Sequence, residues 1–391
     1  MTINNSVDVS INIADSYQVQ SNLKEVLILD EFAHDSSDKL NAGKYFTSNG
    51  LLAGTAIRVK RYTSLPSLAI DFKVTSIVYE KASIALSQKG VRAILVGRKD
   101  PTDTTITDGL VAIRAENDNW FGLLSTYGAK AVASEADNID DIKEIDTWAL
   151  ANGKKFCTQT KDPDSLTTAI TDIFSVLKAR SSNATLAIFN NEYDTVNSKF
   201  TTHVDAGILP LILGYRAGLT TTLDKTLTGV TVSSGISDEG FANLTAKRAN
   251  VYISERGVGV FKGNTLPSGR FFDTELYCIF LKEEIINNLR SLKINKSNAG
   301  SKVSYTNRGV GEAKAVLTTI FERELELGAL TSFYKYINGN KLVQFNYIIA
   351  PLAVEQIPQA EVTERKYNYL NFEVRYSSEI GDIKVNGLMV V

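Results

Sequence analysis

The feature that most constrains the fold is a repeated alternation of helical and strand patterns between residues 74 and 190. Residues 74–90 carry apolar side chains at helical spacings as far as Gly90, and the short apolar run at 92–97 then indicates a buried strand. The same alternation continues as a helix at 105–117, a strand at 120–125, a helix at 139–153, a strand at 154–160, a helix at 165–180 and a strand at 184–190. Strands that alternate with helices in this way predict an open, mostly parallel α/β sheet.

Further elements are expected on both sides of this region. Val26 to Leu29 and residues 57–62 have the patterns of strands that precede it. Asp164 or Ser165 is the expected N-cap of the helix at 165–180. A helix over 199–218 is expected to carry the chain out of the α/β domain. The remaining patterns predict an α+β domain with helices at 237–247, 270–292 and 309–327, and strands at 250–253, 257–261 and 342–349.

Both ends of the chain carry patterns of strict period two, which is typical of half-buried strands. The alternation is clear in VDVSINI at 7–13 and in LNFEVRY at 370–376, and residues 382–391 add another strand candidate. The apolar positions are Val7, Val9, Ile11 and Ile13 at the first end, and Leu370, Phe372, Val374, Tyr376, Ile383 and Val385 at the second. Because the backbone groups of a strand need hydrogen-bond partners, we expect other backbone groups to satisfy those of the two terminal strands.

The composition argues against several classes of function. The 391 residues carry a formal net charge of −2 without a long run of Lys or Arg, which argues against binding to nucleic acid. No apolar run approaches about 18 residues, and the most apolar stretch, 207–214, contains Pro210, so no membrane span is expected. The first residues lack the basic and apolar blocks of a signal peptide. Cys157 and Cys278 lie in apolar stretches and are interpreted as buried free thiols in a reducing compartment.

The stretch SERGVGVFKGNT at 254–265 places three glycines, Gly257, Gly259 and Gly263, at a spacing that resembles a phosphate-binding loop. Such a loop needs a strand before it and a helix that opens directly after it, so that free N–H groups meet the phosphate. A strand precedes these glycines, but the residues after Gly259 have a strand-and-turn pattern, and the next helix begins only near Asp273. We therefore interpret the stretch as a β-turn between two strands.

The other candidate sites have structural interpretations as well. RGVG at 308–311 precedes a helix and is compatible with anion binding at the helix N-terminus, although a flexible helix entry is favoured. His34 and His203 lack the sequence surroundings of a zinc site or a catalytic triad. The acidic stretch at 135–146 lacks the spacing of a calcium loop and is interpreted as a solvated helix face. ERELE at 322–326 is interpreted as the solvent-exposed face of a helix or as a surface that binds a partner.

In the order of these features, the chain resembles the contractile tail sheath proteins of tailed bacteriophages, in particular a sheath-like family long known only as phage proteins of unknown function. The resemblance is carried by residues 58–98, by DNWFGLLS at 118–125 and by DTWALANGKKF at 146–156. Its most specific part is 227–292, which contains the SERGVGVFKGNT stretch, followed by NRGVGEAKAVLTTIFERELELGAL at 307–330. Together these stretches cover most of residues 57–330.

The resemblance implies a fold class of α/β plus α+β, in which an open α/β sheet domain is joined to a C-terminal α+β sheath domain with extended β-strand arms at both termini. The implied domains are an N-terminal β-arm at 1–22, a strand and loop region at 23–73 that packs with the core, an outward-facing α/β domain at 74–218, a tube-facing α+β sheath domain at 219–366 and a C-terminal β-arm at 367–391.

The resemblance also implies a function without catalysis, cofactor or metal. Sheath subunits of this kind stack as hexameric rings around a tail tube and contract to drive the tube through the host envelope. The ten apolar residues of the terminal strands would add to the sheets of neighbouring subunits, which is β-augmentation in an open, heterologous assembly. The implied partners are further copies of the chain, the tail tube protein, and baseplate and tail terminator proteins. The implied location is the virion tail, assembled in the host cytoplasm.

The amphipathic helix at 309–327 is the expected tube-facing element, through Lys314, Glu322, Arg323 and Glu326. Two other interpretations stay open at this point. One is an α/β nucleotide-binding enzyme, and the other is a non-contractile tail or baseplate adaptor that shares one domain with sheath proteins. Formation of a homopolymer would separate the sheath interpretation from both.

Overall fold

The computed structural model describes residues 23–42, 46, 56–127, 135–197, 199–337 and 341–378, with the backbone alone for 135–138. The described chain forms two compact units, an N-terminal unit that ends at Glu275 and a C-terminal unit that begins at Leu276. Within these ranges, no helix combines the length and the apolar character that a membrane crossing requires.

The strands of the N-terminal unit are β1 Val26–Glu31, β2 Val59–Tyr62, β3 Ile94–Lys99, β4 Gly122–Ser125, β5 Lys155–Thr160, β6 Thr185–Phe189, β7 Tyr193–Asp194, β8 Lys199–Phe200, β9 Asn250–Glu255 and β10 Val258–Lys262. β7 and β8 pair with each other, and the others form one eight-stranded sheet in the order β10-β9-β6-β5-β4-β1-β3-β2. Neighbouring strands are parallel from β3 to β9, whereas β2 and β10 are antiparallel at the two edges. The predicted open, mostly parallel sheet is confirmed.

The helices of this unit are α1 Leu65–Asp71, α2 Ile77–Ser87, α3 Ile106–Glu116, α4 Glu135–Ala151, α5 Ile173–Ala179, α6 Val204–Gly214 and α7 Asp238–Ala246. Their starts follow from local capping chemistry. Thr105 and Asp108 form a capping box at α3, and the predicted cap Ser237 accepts a hydrogen bond from the N–H of Gly240 in α7. After α2 the chain turns at Gly90, where φ is +86°.

Helices cover both faces of the sheet. α3, α4 and α5 bury apolar side chains such as Leu110, Trp148 and Leu177 against one face. On the other face α6 packs against β4 so closely that a Cβ at Gly122 would lie 2.7 Å from the side chain of Leu213. Every residue from 204 to 213 is buried, which is typical of a helix that is apolar on all sides. The apolar stretch noted in the sequence is therefore a core helix.

The segment 165–180 is not the single helix that its pattern predicts. A 3-10 turn spans Pro163–Leu166, and α5 begins only after Asp172. The Asp172 carboxylate accepts hydrogen bonds from two N–H groups in the first turn of α5. The prediction of Asp164 or Ser165 as the cap of this helix is therefore wrong. The N-cap of α5 is Asp172, eight residues after Asp164.

The end of the N-terminal unit also differs from the sequence-based expectation. The helix expected over 199–218 spans only α6, which stays packed on the sheet instead of leaving the domain. β9 pairs in parallel with β6, and β10 pairs with β9, so both strands belong to the eight-stranded sheet. The compact unit consequently extends to Glu275, beyond the expected domain boundary at residue 218.

The helices of the C-terminal part are α8 Phe272–Asn298, α9 Asn307–Glu326 and α10 Gln359–Thr363, and the strands are β11 Leu330–Thr331, β12 Phe333–Ile337, β13 Lys341–Phe345, β14 Ile348–Pro351, β15 Leu370–Glu373 and β16 Arg375–Tyr376. The core of this unit lies between α8 and α9 and includes Leu281, Ile285, Leu317 and Phe321. Both helices were predicted, and Gly328 follows α9 with φ of +81°, as expected for a helix end.

The segment expected to form a C-terminal arm at 367–391 begins inside this unit. β15 pairs with β14 and β16 pairs with β11, both antiparallel and within the chain. The side chains that pack against the α8–α9 core are Leu370, Phe372, Val374 and Tyr376. These strands therefore have partners in their own subunit, contrary to the expectation. The strand expected at 7–13 and the residues Ile383 and Val385 lie outside the described residues.

Candidate assembly surfaces

The glycines of the stretch 254–265 lie in a hairpin at the edge of the sheet. Glu255 of β9 is paired with Val258 of β10, so Arg256 and Gly257 form the connecting turn. Their φ angles are +50° and +85°, as a two-residue type I′ hairpin turn requires. A strand rather than a helix follows directly, which confirms the predicted β-turn and leaves the stretch without the geometry of a phosphate loop.

The carboxyl ends of the parallel strands are the usual place for a ligand in an open α/β sheet, at the point where the winding reverses. Here that point lies between β1 and β4, because β3 and β4 flank β1 on opposite sides. Asp30 accepts hydrogen bonds from Lys39, 2.6 Å away, and from the hydroxyl of Thr126. The Lys99 ammonium lies 3.1 Å from the carboxylate of Glu31. The acidic groups at this edge are thus engaged by side chains of the same unit.

A buried thiol and the clustered titratable side chains are the next candidates for chemistry in the described chain. Cys157 is fully buried in β5, and burial raises the pKa of its thiol well above the usual value, so the thiol stays protonated and a poor nucleophile. Among the residues that the structure describes, no group of three or more His, Cys, Asp and Glu side chains is arranged to hold a metal ion.

The RGVG stretch at 308–311 forms the first turn of α9. The hydroxyl of Thr306 accepts a hydrogen bond from the N–H of Gly309 at 3.3 Å. This N–H group at the helix start is therefore already satisfied within the chain and does not need an anion as its partner. A Cβ at Gly309 would lie only 1.9 Å from the carbonyl oxygen of Ser304, whereas a Cβ at Gly311 would meet open space. Gly309 thus allows a close backbone approach, which favours the helix-entry interpretation over an anion site.

The four residues expected to face the tube have different surroundings on α9. The exposed ones are Lys314, Glu322 and Glu326. Arg323 instead lies 2.6 Å from Glu284 of α8 and 2.9 Å from the buried Glu324 of its own helix. Arg323 therefore holds α8 and α9 together, and the exposed charged stripe of α9 consists of the other three side chains.

The hairpin of β12 and β13, which we call the tyrosine hairpin, exposes apolar side chains on one face. Tyr334 is paired with Gln344 and Tyr336 with Leu342, and cross-strand pairs of this kind share a face. Tyr334, Tyr336 and Leu342 are 63%, 67% and 51% exposed. Within the described part of the chain, neither strand has a second neighbour, so both outer edges present unpaired backbone groups. An isolated two-stranded hairpin is only marginally stable in water, and a third strand would stabilise it.

This hairpin was not predicted, although the sequence carries a signal for it. The predicted strand at 342–349 covers β13 and the start of β14, but β12 was not predicted. In the sequence, Asn338-Gly339 lies between two runs rich in aromatic and β-branched residues, and an Asn-Gly pair in that position is a strong indicator of a hairpin.

No protein-family model matches the chain, and no curated protein sequence matches it. Among solved structures, the chain is similar to one from the cryo-EM structure of the anti-feeding prophage baseplate, which was symmetrised sixfold. The TM-score is 0.62 at 13% identity, and the alignment covers 100% of both chains. A sheath tail protein from Desulfitobacterium hafniense matches with a TM-score of 0.48 at 8% identity, over 86% of this chain and 99% of the other. The full-length likeness shows that this chain shares its fold with the matched chain of the baseplate structure.

Proposed function

We propose that the chain is a structural subunit, without enzymatic activity, of a phage-tail-like particle, and that its copies associate through the tyrosine hairpin. The observation that carries this proposal is an exposed apolar face on that hairpin, together with strand edges that have no partner among the described residues. Such an edge is a template for a strand from another chain. The full-length likeness of the fold to a baseplate protein supports the same class of function.

The strand that adds to the hairpin is, in this proposal, the N-terminal segment 7–13 of a neighbouring copy. Val7, Val9, Ile11 and Ile13 lie on one side of an extended chain and would cover the tyrosine face. Ile383 and Val385 would act in the same way at the other end of the chain. The apolar side chains of β15 and β16 belong to the core of their own unit, so we assign to them the role of anchoring the residues that follow.

A contact in which one end of a copy meets a different surface of the next copy is heterologous, and it closes into a ring or continues as a helix. We extend the sixfold symmetry of the baseplate neighbour to rings of this chain, stacked as a contractile sheath around a tail tube. The exposed stripe Lys314, Glu322 and Glu326 would then face the tube protein, and the N-terminal unit would face outward. Contraction would turn these units while the added strands keep the copies connected. Baseplate and terminator proteins would bind the ends, in a virion tail assembled in the host cytoplasm.

A baseplate adaptor is the second candidate function. It is favoured by the full-length structural likeness, because the matched chain is part of a baseplate. An adaptor would use the tyrosine hairpin to bind a different protein and would not form homopolymers. The purified chain alone therefore distinguishes the two functions.

We expect the double substitution Tyr334→Glu and Tyr336→Glu to abolish assembly of the purified full-length chain into rings or tubes. Both side chains are exposed, so the fold should tolerate the change. An added strand would cover the two new carboxylates without giving them partners, and the cost of burying these charges would disfavour strand addition. Negative-stain electron microscopy and sedimentation velocity measure the result. The matched control is Ile170→Glu with Val196→Glu, which places two charges on exposed apolar residues of the N-terminal unit.

Truncations complete this experiment. Deletion of residues 1–14 should also leave soluble monomers, and so should deletion of 379–391. A deletion from residue 368 is unsuitable, because it would remove β15 and β16 from the core of the C-terminal unit. Assembly of the tyrosine variant at wild-type levels would contradict the role of the hairpin. A wild-type chain that remains monomeric at every concentration would exclude the homopolymer and favour the adaptor.

A further inference from the structure

A polar cluster is buried where α2 and α6 meet the ends of β5 and β8. Its centre is His203, the residue before α6, which is 1% exposed. The ring nitrogen Nε2 lies 3.4 Å from a carboxylate oxygen of Glu80 in α2. The other ring nitrogen, Nδ1, lies 3.3 Å from the amide nitrogen of Gln159 in β5. Lys199 of β8 donates a hydrogen bond to the second oxygen of Glu80, so the cluster joins three elements of the unit.

The orientation of the Gln159 amide is fixed by its other partners. Its oxygen Oε1 accepts hydrogen bonds from the backbone N–H of Val204 at 2.9 Å and from the side-chain amide of Asn190 at 3.1 Å. Its nitrogen donates to the carbonyl oxygen of Thr202 at 3.2 Å. A backbone N–H can only donate, so the oxygen of Gln159 must face Val204 and the N–H₂ group must face His203.

This orientation decides the protonation state of His203. Because an amide N–H of Gln159 points at Nδ1, that nitrogen must accept, and the single ring proton lies on Nε2, where it donates to Glu80. A second proton on Nδ1 would place two donors against each other. If Gln159 turned to relieve this conflict, it would lose the hydrogen bonds to Val204 and Asn190 and leave buried groups unpaired.

The charges around the ring do not offer Nδ1 a better partner. The carboxylate of Asp205 in α6 is bound by Lys81 of α2 in a fully buried ion pair, and Glu80 is bound by Lys199. The buried Cys157 thiol stays protonated. His203 also precedes the N-terminus of α6, where the helix dipole disfavours positive charge. We call the cluster with all these hydrogen bonds in place the closed form. The closed form is stable with a neutral His203 and is destabilised when His203 is protonated.

We propose that His203 is an acid-sensitive latch, in which protonation of Nδ1 displaces Gln159 and releases the start of α6 from β5. Burial lowers the pKa of His203 below its usual value of 6.5, so the open form binds the proton at a higher pH than the closed form. The contribution of the latch to stability is therefore complete above pH 6.5 and is lost as the pH falls from there through the lower pKa of the closed form. This latch is independent of the surface that carries the proposed function.

Amide hydrogen exchange over residues 199–207, corrected for the intrinsic effect of pH, tests this proposal between pH 7 and pH 5 on the full-length chain. In the wild type we expect protection at Val204 and Gly207 to fall as the pH drops below 6.5, by up to about tenfold for each pH unit between the two pKa values. His203→Gln offers an acceptor and a donor without a titratable ring, so its protection should stay nearly constant. His34→Gln is the matched control, because His34 is the second of the two histidines and its side chain is 40% exposed.

The same variants allow a direct titration of the ring. NMR of the imidazole groups should show one histidine in His34→Gln, which is His203, and its ring should remain neutral at pH values below 6.5. Titration of His203 at or above pH 6.5 would overturn the proposal, as would an equal loss of protection in His203→Gln and the wild type. If His203→Gln does not fold, titration of His203 in His34→Gln together with wild-type exchange decides the question.

Discussion

Replacing Asp172 by alanine is expected to lower the free energy of unfolding of the N-terminal unit by about 3–5 kcal/mol. The carboxylate is fully buried, accepts two N–H groups at the start of α5, and lies 2.7 Å from the ammonium group of Lys247. Its removal leaves the helix start without a cap and the buried Lys247 without its counter-charge. Lys247 would keep only its hydrogen bond to the carbonyl oxygen of Asp164, at 2.7 Å.

Unfolding by denaturant, followed by tryptophan fluorescence, measures this loss. The two tryptophans of the chain, Trp120 and Trp148, are both buried in the N-terminal unit, so the signal reports on that unit. Asp164→Ala is the matched control. Its side chain accepts one exposed hydrogen bond from Thr171, so we expect a loss below about 1 kcal/mol. Equal losses for the two variants would show that the pair of Asp172 and Lys247 adds no stability.

Replacing Gly309 by alanine is expected to destabilise the C-terminal unit by about 3 kcal/mol. The new methyl group would lie 1.9 Å from the carbonyl oxygen of Ser304, and that oxygen is part of the backbone and cannot rotate away as a side chain does. The start of α9 would have to move, and the hydrogen bond from the N–H of Gly309 to the cap Thr306 would be disturbed.

Gly311→Ala provides the control on the same turn. Its Cβ would meet open space, and alanine is a better helix former than glycine, so we expect it to stabilise α9 by about 0.5–1 kcal/mol. Hydrogen exchange of the amides of Leu317 and Phe321 measures both variants, because these residues lie in the buried part of α9. Opposite signs for the two glycines are the decisive result. Similar behaviour of both variants would mean that the close approach to Ser304 does not constrain the helix.

The elements that sequence patterns predicted well are those fixed by local chemistry. The parallel strands appear as short apolar runs, and helix ends coincide with residues such as Ser237 and Gly328, whose preferences depend on a few neighbouring backbone groups. The prediction of a single helix over 165–180 was wrong because a contact with a distant residue decides where α5 begins. Asp172 is the cap because it is buried beside Lys247, and that contact with a residue 75 positions away is not visible in the local pattern around Asp164.

The features that sequence patterns missed depend on contacts between distant parts of the chain. A period of two in 370–376 indicates that one side of the strand is covered, but it cannot say whether the cover is the α8–α9 core or another copy. β9 and β10 belong to the large sheet because β9 pairs in parallel with β6, and the sequence pattern of a strand does not indicate which strand it pairs with. For the same reason, the exposed stripe of α9 could be predicted, but the binding of Arg323 to Glu284 could not.

The order of the elements along the chain also determines the order in which they leave the ribosome. The last strand of the large sheet ends at Lys262, and the tyrosine hairpin begins at Phe333. During synthesis from the N-terminus, the N-terminal unit therefore has all its strands before the tyrosine hairpin emerges, and domains generally fold as units in that order. Nascent chains would thus expose the apolar face of the tyrosine hairpin only after the N-terminal unit has folded, which limits contacts of that face with unfolded segments.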